Sequence, residues 1–269
     1  MIKVNNAEID ILQEEWDVLV ILDACRFEVF EEVYKKSLKK KGELKKAKTF
    51  SEGTKDWMTS NIKGRDCSDI IYINPIIMFN KWLPNNNFFK VDEVWKYGWD
   101  YNYGTILPEQ MTESALKQIK DHPDKRIIIH YHQPHPPFLD PAFRKIRKNI
   151  VTPKSVQDLM NSKTKNKSHT LSHFIQGNMR KILGAERAWR LMIWARMEPL
   201  DEMGQAYKHF GMDGIMDAYK KNMILVLNNL NKILLNVNKK IIITSDHSFN
   251  YDRSTKALKK KYVPWLEMN

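Results

Sequence analysis

The sequence predicts an α/β protein with a mainly parallel sheet that is sandwiched by helices. Two observations support this prediction. Short runs rich in β-branched residues and bounded by polar residues recur along the chain, as is typical of strands that are buried on both faces. Segments with the apolar spacing of helices lie between these runs, and strands that alternate with helices form parallel sheets.

The predicted elements follow one another along most of the chain. Strands are predicted at residues 17–22, 69–73, 126–131 and 240–244. Helices are predicted at residues 26–38, 54–62, 111–120 and 217–235. Apolar residues of the last helix recur at i, i+4, i+7 and i+11, as a helix packed against a core requires. They are Met223, Leu227, Leu230 and Leu234.

We expect a single domain over residues 1–269, with a helical insertion or lid at residues 144–216. The strand pattern stops before this stretch and resumes after it. Its later part, "RAWRLMIWARMEPLDEMGQAYKHF", is amphipathic and basic. Such a helix can lie on a membrane surface or bind a partner, but we favour a face that packs against the core.

Composition and charge limit the classes of protein that fit. No run of about 18 to 20 apolar residues and no apolar signal-peptide segment occurs, so we expect a cytoplasmic protein without a transmembrane segment. The net charge of +12 would attract polyanions. Much of this charge lies in a lysine-rich run from Tyr34 to Lys48, which we interpret as a solvated helix end and loop. Cys25 and Cys67 have no CxxC spacing, which disfavours a disulfide framework or a thiolate zinc site.

The ends of the predicted strands carry residues that bind metals or transfer protons. Asp23 follows the first strand, and Asp246 and His247 follow the last. In open parallel sheets the ligand lies at the carboxyl ends of the strands. Two carboxylates and one imidazole suit a divalent ion such as Zn²⁺ or Mn²⁺, with a position left for a substrate oxygen. Each residue alone also fits a helix cap, a turn or a structural histidine.

The third strand, within "RIIIHYHQPHPPF", carries three further imidazoles. They are His130, His132 and His135. His130 lies inside the strand, so we expect it to be structural.

The segment "TFSEGTKDWMTSNIKGR" offers a nucleophile. Ser51 and Thr54 lie on either side of Gly53 at the predicted start of a helix. The amide groups and the dipole at a helix N-terminus stabilise an alkoxide or a phosphoryl group. Either residue also fits a simple helix cap.

Three segments in this order, "VILDACR", "SEGTKDWMTSNIKGR" and "IITSDHS", resemble the alkaline phosphatase and sulfatase superfamily. The resemblance implies an alkaline-phosphatase-like fold. It also implies a metal site that consists of Asp23, Thr54, Asp246 and His247. In sulfatases the nucleophile stands ten residues before a Gly, and counting back from Gly64 gives Thr54 rather than Ser51.

The "HQPHPPF" segment is similar to the H-x-P-F of sulfatases and lipoteichoic acid synthases. The resemblance therefore implies that His135 contacts the anionic group of the substrate.

Departures from the family pattern indicate the subclass. A Thr cannot be converted to formylglycine, and Cys25 lacks the modification signature of sulfatases. A Thr nucleophile resembles instead the phosphodiesterase, phosphonate-hydrolysing and glycerophosphate-transferring branches. Two-metal members carry a further His after the late strand, whereas this chain has none after His247, so we expect one metal ion. Ser248 replaces the Gly of the family, and the segment that follows is short.

The sequence thus predicts a metal-dependent hydrolase or transferase that acts on a phosphoester through Thr54. We expect one divalent ion (Zn, Mn, Mg or Ca). The expected substrate is an anionic small-molecule or glycan-linked phospho- or sulfo-ester, with His135, His132 and Arg26 near its charge. One alternative is a catalytically degraded member of the family that binds an anionic ligand or a partner. A second alternative is a basic nucleic-acid-binding protein, although we expect no stable binding to nucleic acid.

Overall fold

The computed structural model describes residues 4–49, 51–147, 151–161, 171–249 and 262–269. Parts of the predicted helical insertion, residues 148–150 and 162–170, lie outside the described residues. The strands are β1 (Val4–Glu8), β2 (Val18–Asp23), β3 (Glu43–Lys48), β4 (Ile70–Asn74), β5 (Lys90–Glu93), β6 (Trp99–Asp100), β7 (Thr105–Ile106), β8 (Arg126–Pro134), β9 (Ile241–Thr244) and β10 (Tyr262–Met268). The α-helices are α1 (Phe27–Ser37), α2 (Thr54–Asn61), α3 (Phe79–Trp82), α4 (Pro108–Asp121), α5 (Pro141–Ile146), α6 (Pro153–Asn161), α7 (Leu171–Leu183), α8 (Ala185–Trp194) and α9 (Glu202–Asn236).

The main sheet has the strand order β1-β3-β10-β9-β2-β8-β4-β5. Neighbouring strands pair in parallel, except that β10 is antiparallel to both β3 and β9. The four predicted strands are confirmed, and they lie side by side as β9-β2-β8-β4. The sheet is therefore mainly parallel, and the predicted α/β class is confirmed.

Helices cover both faces of the central strands because those strands are apolar on both faces. In β2, Val18, Val20 and Leu22 belong to one hydrophobic cluster, and Leu19 and Ile21 belong to another. Side chains of α1, α4 and α9 fill the first cluster, and side chains of α2 and α3 fill the second. This two-sided burial explains why the strands are continuous apolar runs rather than alternating ones.

The four predicted helices are also present, as α1, α2, α4 and α9. The predicted apolar face of the last helix is buried at Met223, Leu227, Leu230 and Leu234. Gly211 (φ 65°) is non-helical and divides α9 into two helical stretches, and the predicted helix lies within the second stretch. Between β8 and β9 all the regular secondary structure of the described residues is helical, and loops connect the helices.

The interpretation of the lysine-rich run as a solvated helix end and loop is partly wrong. The helix end is present, but residues Glu43–Lys48 form β3 between β1 and β10. Ala47 is buried opposite Val263, and the ammonium of Lys45 lies 2.7 Å from Glu267. The strand forms despite its charge because its lysines reach solvent or a carboxylate at the ends of long side chains.

Among the helices in the described part of the chain, none is both long enough and apolar enough to span a bilayer.

Candidate metal centre and active site

The carboxyl ends of three adjacent strands, β9, β2 and β8, bring the candidate residues together. Asp23 is the last residue of β2 and pairs with Pro134 at the end of β8. The amide of His135 donates a hydrogen bond of 3.2 Å to the carbonyl of Asp23. Asp246 and His247 follow β9 directly. The strand order, which depends on contacts far apart in the sequence, is therefore what assembles the site.

A tight turn after Asp23 locks the end of β2 to the end of β9. Ala24 adopts a left-handed conformation (φ 57°), which is unusual for a residue with a Cβ. Its amide donates to Asp246 Oδ1 at 3.1 Å, and the amide of Cys25 donates to Ser245 Oγ at 2.8 Å. These bonds explain why the apolar strand is followed by small residues: the chain must turn sharply against its neighbour.

Asp23, Asp246 and His247 form a compact cluster of metal-binding atoms. One donor atom from each lies within 4.8 Å of the others. His247 Nε2 is 3.3 Å from Asp23 Oδ1 and 3.7 Å from Asp246 Oδ2. Both oxygens are buried, and neither has a hydrogen-bond partner in the described part of the chain. Such unpartnered buried carboxylate oxygens are costly unless a cation satisfies them.

Two of the three spacings in this cluster fit a metal ion. Ligands at about 2.0 to 2.2 Å from a tetrahedral zinc ion are about 3.3 to 3.6 Å apart. The two distances from His247 Nε2 lie at or close to that range. The donors are oxygen and imidazole, which suit Zn²⁺ or Mn²⁺.

The tautomer of His247 is set for metal binding. Its Nδ1 lies 3.3 Å from the carbonyl of Ser248, and a carbonyl only accepts, so Nδ1 carries the proton. Nε2 is then the atom directed at the two carboxylates, as in metal-bound histidines that donate their other nitrogen to the backbone. Burial opposes a charge on this imidazole, but Asp246 and Asp23 outweigh burial and raise the pKa of His247 to about 9.

Asp23 stays ionised for a matching reason. Burial would raise its pKa, but the nearby imidazoles of His135, His132 and His247 hold the pKa of Asp23 well below its usual range. Without a metal ion, a proton on His247 therefore balances part of the carboxylate charge. A divalent cation and that proton would compete for Nε2 of His247.

Two more histidines of β8 approach the carboxylates from the other side. His132 Nδ1 is 3.5 Å from Asp23 Oδ2, and His130 Nε2 is 3.8 Å from Asp246 Oδ2. Neither nitrogen has a hydrogen-bond partner in the described residues. His132, predicted near the substrate, lies at the edge of the cluster, while the fully buried His130 lies against Asp246.

Tyr72 fixes the ring of His130. Its hydroxyl is 2.6 Å from His130 Nδ1, and both side chains are fully buried. Burial lowers the pKa of His130, even though Asp246 and Asp23 favour its charged form. The imidazole is therefore neutral, and Tyr72 orients its Nε2 towards Asp246. The sequence predicts a structural role for His130, and no motif in the sequence marks Tyr72.

Thr54, the predicted nucleophile, is the first residue of α2 and is half-buried. Trp57, one turn later on the same helix face, packs edge-on against His130 with ring centroids 6.1 Å apart. Upstream, Thr49 Oγ1 donates to the carbonyl of Asp246 at 3.2 Å. Thr49 and Trp57, on either side of Thr54 in the sequence, thus contact Asp246 and His130. The alternative nucleophile Ser51 is 2% exposed.

A cavity of about 680 Å³ begins at His132 and His135 and extends away from the cluster. His135 Nδ1 is 2.6 Å from the carbonyl of Pro136, so Nδ1 carries a proton and Nε2 is the atom left for other contacts. The cavity walls are mainly apolar and aromatic. They include Ile76, Met78, Trp82, Trp99, Trp189 and Met203.

The charged groups of the cavity are paired with each other. Arg147 Nε is 2.7 Å from Glu202, and Arg180 is 2.9 Å from Asp201. Burial raises the pKa of Glu202, although Arg147 and His135 oppose this change. The described part of the cavity therefore offers little net charge away from the two histidines.

Other candidate residues lie outside the cluster. Arg26 precedes α1, and its guanidinium lies 3.9 Å from Glu28 rather than among the described residues that line the cavity. Cys25 is fully buried with its sulfur 3.7 Å from that of Met223, and burial raises its pKa well above the ordinary value. Cys25 is thus a packing residue beside the site.

Ser245 was also missed from the sequence. Its hydroxyl accepts from the amide of Cys25 and lies 2.6 Å from the carbonyl of Leu22, so it joins the ends of β2 and β9. The position of Ser245 directly before Asp246 could have indicated this role. A residue at that position can bond to a neighbouring strand and so position the carboxylate.

Comparison with solved structures found similar folds, whereas comparison with sequences did not. No protein-family model and no curated protein sequence matches the chain. A solved structure that is similar is the integral membrane lipooligosaccharide phosphoethanolamine transferase A from Neisseria meningitidis, with a TM-score of 0.45 and 10% sequence identity. The match covers 93% of this chain and 47% of that protein, so the chain spans about half of its length.

Proposed function

We propose that the protein is a metal-dependent hydrolase or transferase that acts on a phosphoester. The observation that supports this proposal best is the convergence of unpartnered donor atoms from Asp23, Asp246 and His247 at the carboxyl ends of β2 and β9. These three side chains, with the hydroxyl of Thr54, would hold one divalent ion. When bound, such an ion supplies positive charge that lowers the pKa of a hydroxyl and neutralises phosphoryl oxygens.

Thr54 is the proposed nucleophile. The Thr54 hydroxyl gives up its proton to solvent, and its Oγ forms a bond to phosphorus as the bond between phosphorus and the leaving oxygen breaks. The leaving oxygen departs with the electron pair of that bond, and a phospho-threonine results. Water or another alcohol then attacks phosphorus and releases Thr54. The first residues of α2 favour this chemistry, because the free amides at a helix N-terminus stabilise negative charge on the phosphoryl group.

His135 and His132 are proposed to contact the non-bridging oxygens of the substrate. Both line the cavity beside Asp23. Because Nδ1 of His135 is bound to the backbone, only its Nε2 can donate to the substrate, and it does so in the protonated form. Arg26 stays a weaker candidate for this role, since its guanidinium lies near Glu28.

The cavity is proposed to receive the organic group of the phosphoester. Its apolar walls and paired charges favour a neutral, mainly apolar group over a second anion. Aryl phosphodiesters are therefore the substrates of choice for a first assay. The lid role of the helices between β8 and β9 and the cellular location of the protein stay predictions.

The test is metal-dependent turnover of bis-p-nitrophenyl phosphate. Protein stripped with a chelator is expected to regain turnover with one equivalent of Zn²⁺ or Mn²⁺. Thr54→Ala is expected to lower kcat by at least about a thousandfold. Thr59→Ala is the matched control, because Thr59 lies on the same helix and, among the described residues, its hydroxyl bonds only to the carbonyls of Lys55 and Asp56.

The outcomes separate this proposal from its alternatives. Equal loss in both Thr variants, or turnover without metal, would count against it. Metal binding without turnover would favour the catalytically degraded form. Steeply salt-dependent binding of DNA or RNA that survives Asp23→Asn would favour the nucleic-acid-binding alternative.

A further inference from the structure

Helices α7 and α8 expose large apolar side chains to solvent. Trp194 is 81% exposed and Ile182 is 78% exposed. Leu191 and Ile175 are exposed by 41% and 40%. Single exposed apolar residues are common, but a concentration on two packed helices marks a binding surface.

Helix α8 carries two opposite stripes, each with the spacing i, i+3, i+4, i+7. The inner stripe packs into the protein and consists of Ala185, Ala188, Trp189 and Met192. The outer stripe is exposed and consists of Arg187, Arg190, Leu191 and Trp194. Packing against the protein therefore explains the apolar residues of the inner stripe but not those of the outer stripe. The sequence of this stretch is compatible with a core face and with a membrane face, and α8 has one buried and one exposed face.

Exposed cations are near the exposed apolar residues in the sequence. The cations are Lys181, Arg187, Arg190 and Arg196. None of them has a carboxylate within ion-pair distance in the described part of the chain, whereas the neighbouring Arg180 is paired with Asp201 at 2.9 Å. We call the exposed side of these two helices and of the turn after α8, from Ile175 to Arg196, the α7–α8 surface.

We propose that the α7–α8 surface binds the surface of an anionic membrane. Cations interleaved with Trp and aliphatic side chains are typical of helices that lie in a bilayer interface, where the cations contact lipid phosphates and the apolar groups enter the acyl boundary. Trp194 suits this place because an indole has an apolar body and one polar N–H group.

Two other partners fit this surface less well. A nucleic acid would pair with the cations but would leave the aliphatic side chains Ile182 and Leu191 without an apolar contact. A second copy, docked through the same face by a two-fold axis, would bring like cations of both copies together. A bilayer satisfies both kinds of side chain at once. This inference does not depend on the proposed function.

The test is sedimentation of the full chain with lipid vesicles. The protein is expected to bind vesicles of phosphatidylcholine with about one third phosphatidylserine, and to bind pure phosphatidylcholine much more weakly. Trp194→Ala is expected to weaken binding at least about tenfold. Arg187→Gln with Arg190→Gln is expected to weaken it about 25-fold, at about fivefold for each cation.

The matched control is Lys39→Gln with Lys41→Gln, which removes the same charge from an exposed loop elsewhere. It is expected to leave vesicle binding unchanged. Equal loss in the control would overturn the proposal, because the net charge alone would then explain binding. Unchanged binding of Trp194→Ala would also overturn it. So would a change from dimer to monomer in Trp194→Ala without vesicle binding, since a second copy would then be the partner.

Turnover of the soluble aryl phosphodiester is expected to be unchanged in all these variants, because the substituted residues lie outside the proposed active site. An inactive protein that still binds anionic vesicles would contradict the proposed function and leave this inference intact. An active protein that fails to bind them would do the reverse.

Discussion

Tyr72→Phe tests whether the Tyr72 hydroxyl positions His130 at the metal centre. The substitution removes the 2.6 Å contact to His130 Nδ1 and keeps the aromatic ring against Phe79 and Phe88, with centroids 5.0 and 5.2 Å away. A buried nitrogen is then left without a partner, which costs about 1 to 3 kcal/mol of unfolding free energy. Because His130 Nε2 lies 3.8 Å from Asp246 Oδ2, we also expect metal affinity to fall about 10- to 100-fold.

Two measurements separate these effects. Urea unfolding in the presence of a chelator gives the stability of the metal-free protein, and a competition titration with a chromogenic chelator gives the zinc affinity. Tyr131→Phe is the matched control, because Tyr131 is a neighbour of His130 on the same strand and its buried hydroxyl is 2.7 Å from Thr112. Its side chain faces the other side of the sheet, in the first hydrophobic cluster.

We expect Tyr131→Phe to lose stability but to keep the zinc affinity of the wild-type protein. The reasoning would be refuted if Tyr72→Phe bound zinc within about twofold of the wild-type protein, or if both variants lost affinity equally.

Three further predictions concern pH, the core and the thiol. The pKa of His247 rises from 6.5 to about 9 on folding, so its protonation stabilises the folded state. This contribution to the free energy of unfolding is at most about 3 kcal/mol. It is complete below about pH 6.5 and is lost as the pH rises towards 9. The lowered pKa of Asp23 has the opposite effect, because its contribution to stability is lost at acid pH. In thermal melts, the metal-free protein with a chelator should lose stability at alkaline pH, and the zinc-saturated protein should not. Leu230→Ala should cost about 2 to 5 kcal/mol in urea unfolding, whereas Leu235→Ala, 60% exposed on the same helix, should cost less than about 0.5 kcal/mol. Cys25 should react with a thiol reagent only on unfolding, and rapid labelling of the native protein would contradict its burial.

The central strands could be predicted because the residue types within each strand indicate that it is buried. β2, β4, β8 and β9 are apolar on both faces and rich in β-branched residues. β3 and β10 were not predicted because their amino-acid compositions are not typical of strands. β3 consists largely of charged residues, and β10 contains Pro264, which argues against a strand. Each forms because the other strand is available to pair with it.

The candidate site was predictable only in part, for a related reason. Asp23, Asp246 and His247 follow strands directly, so the rule for parallel sheets locates them. The approach of His130 to Asp246 depends on the order β9-β2-β8, which the sequence does not reveal. The hydroxyl of Tyr72 adds a contact from a fourth strand, β4. The periodicity of the sequence predicts only that His130 and Tyr72 lie in the core.

The most direct test of the proposed metal centre is a crystal structure of the zinc-loaded protein with data collected at the zinc absorption edge. We predict one anomalous peak at about 2.0 to 2.2 Å from Asp23, Asp246 and His247, with the Thr54 hydroxyl at the same ion. No peak at this position, or a Thr54 hydroxyl more than about 5 Å from it, would contradict the proposed chemistry.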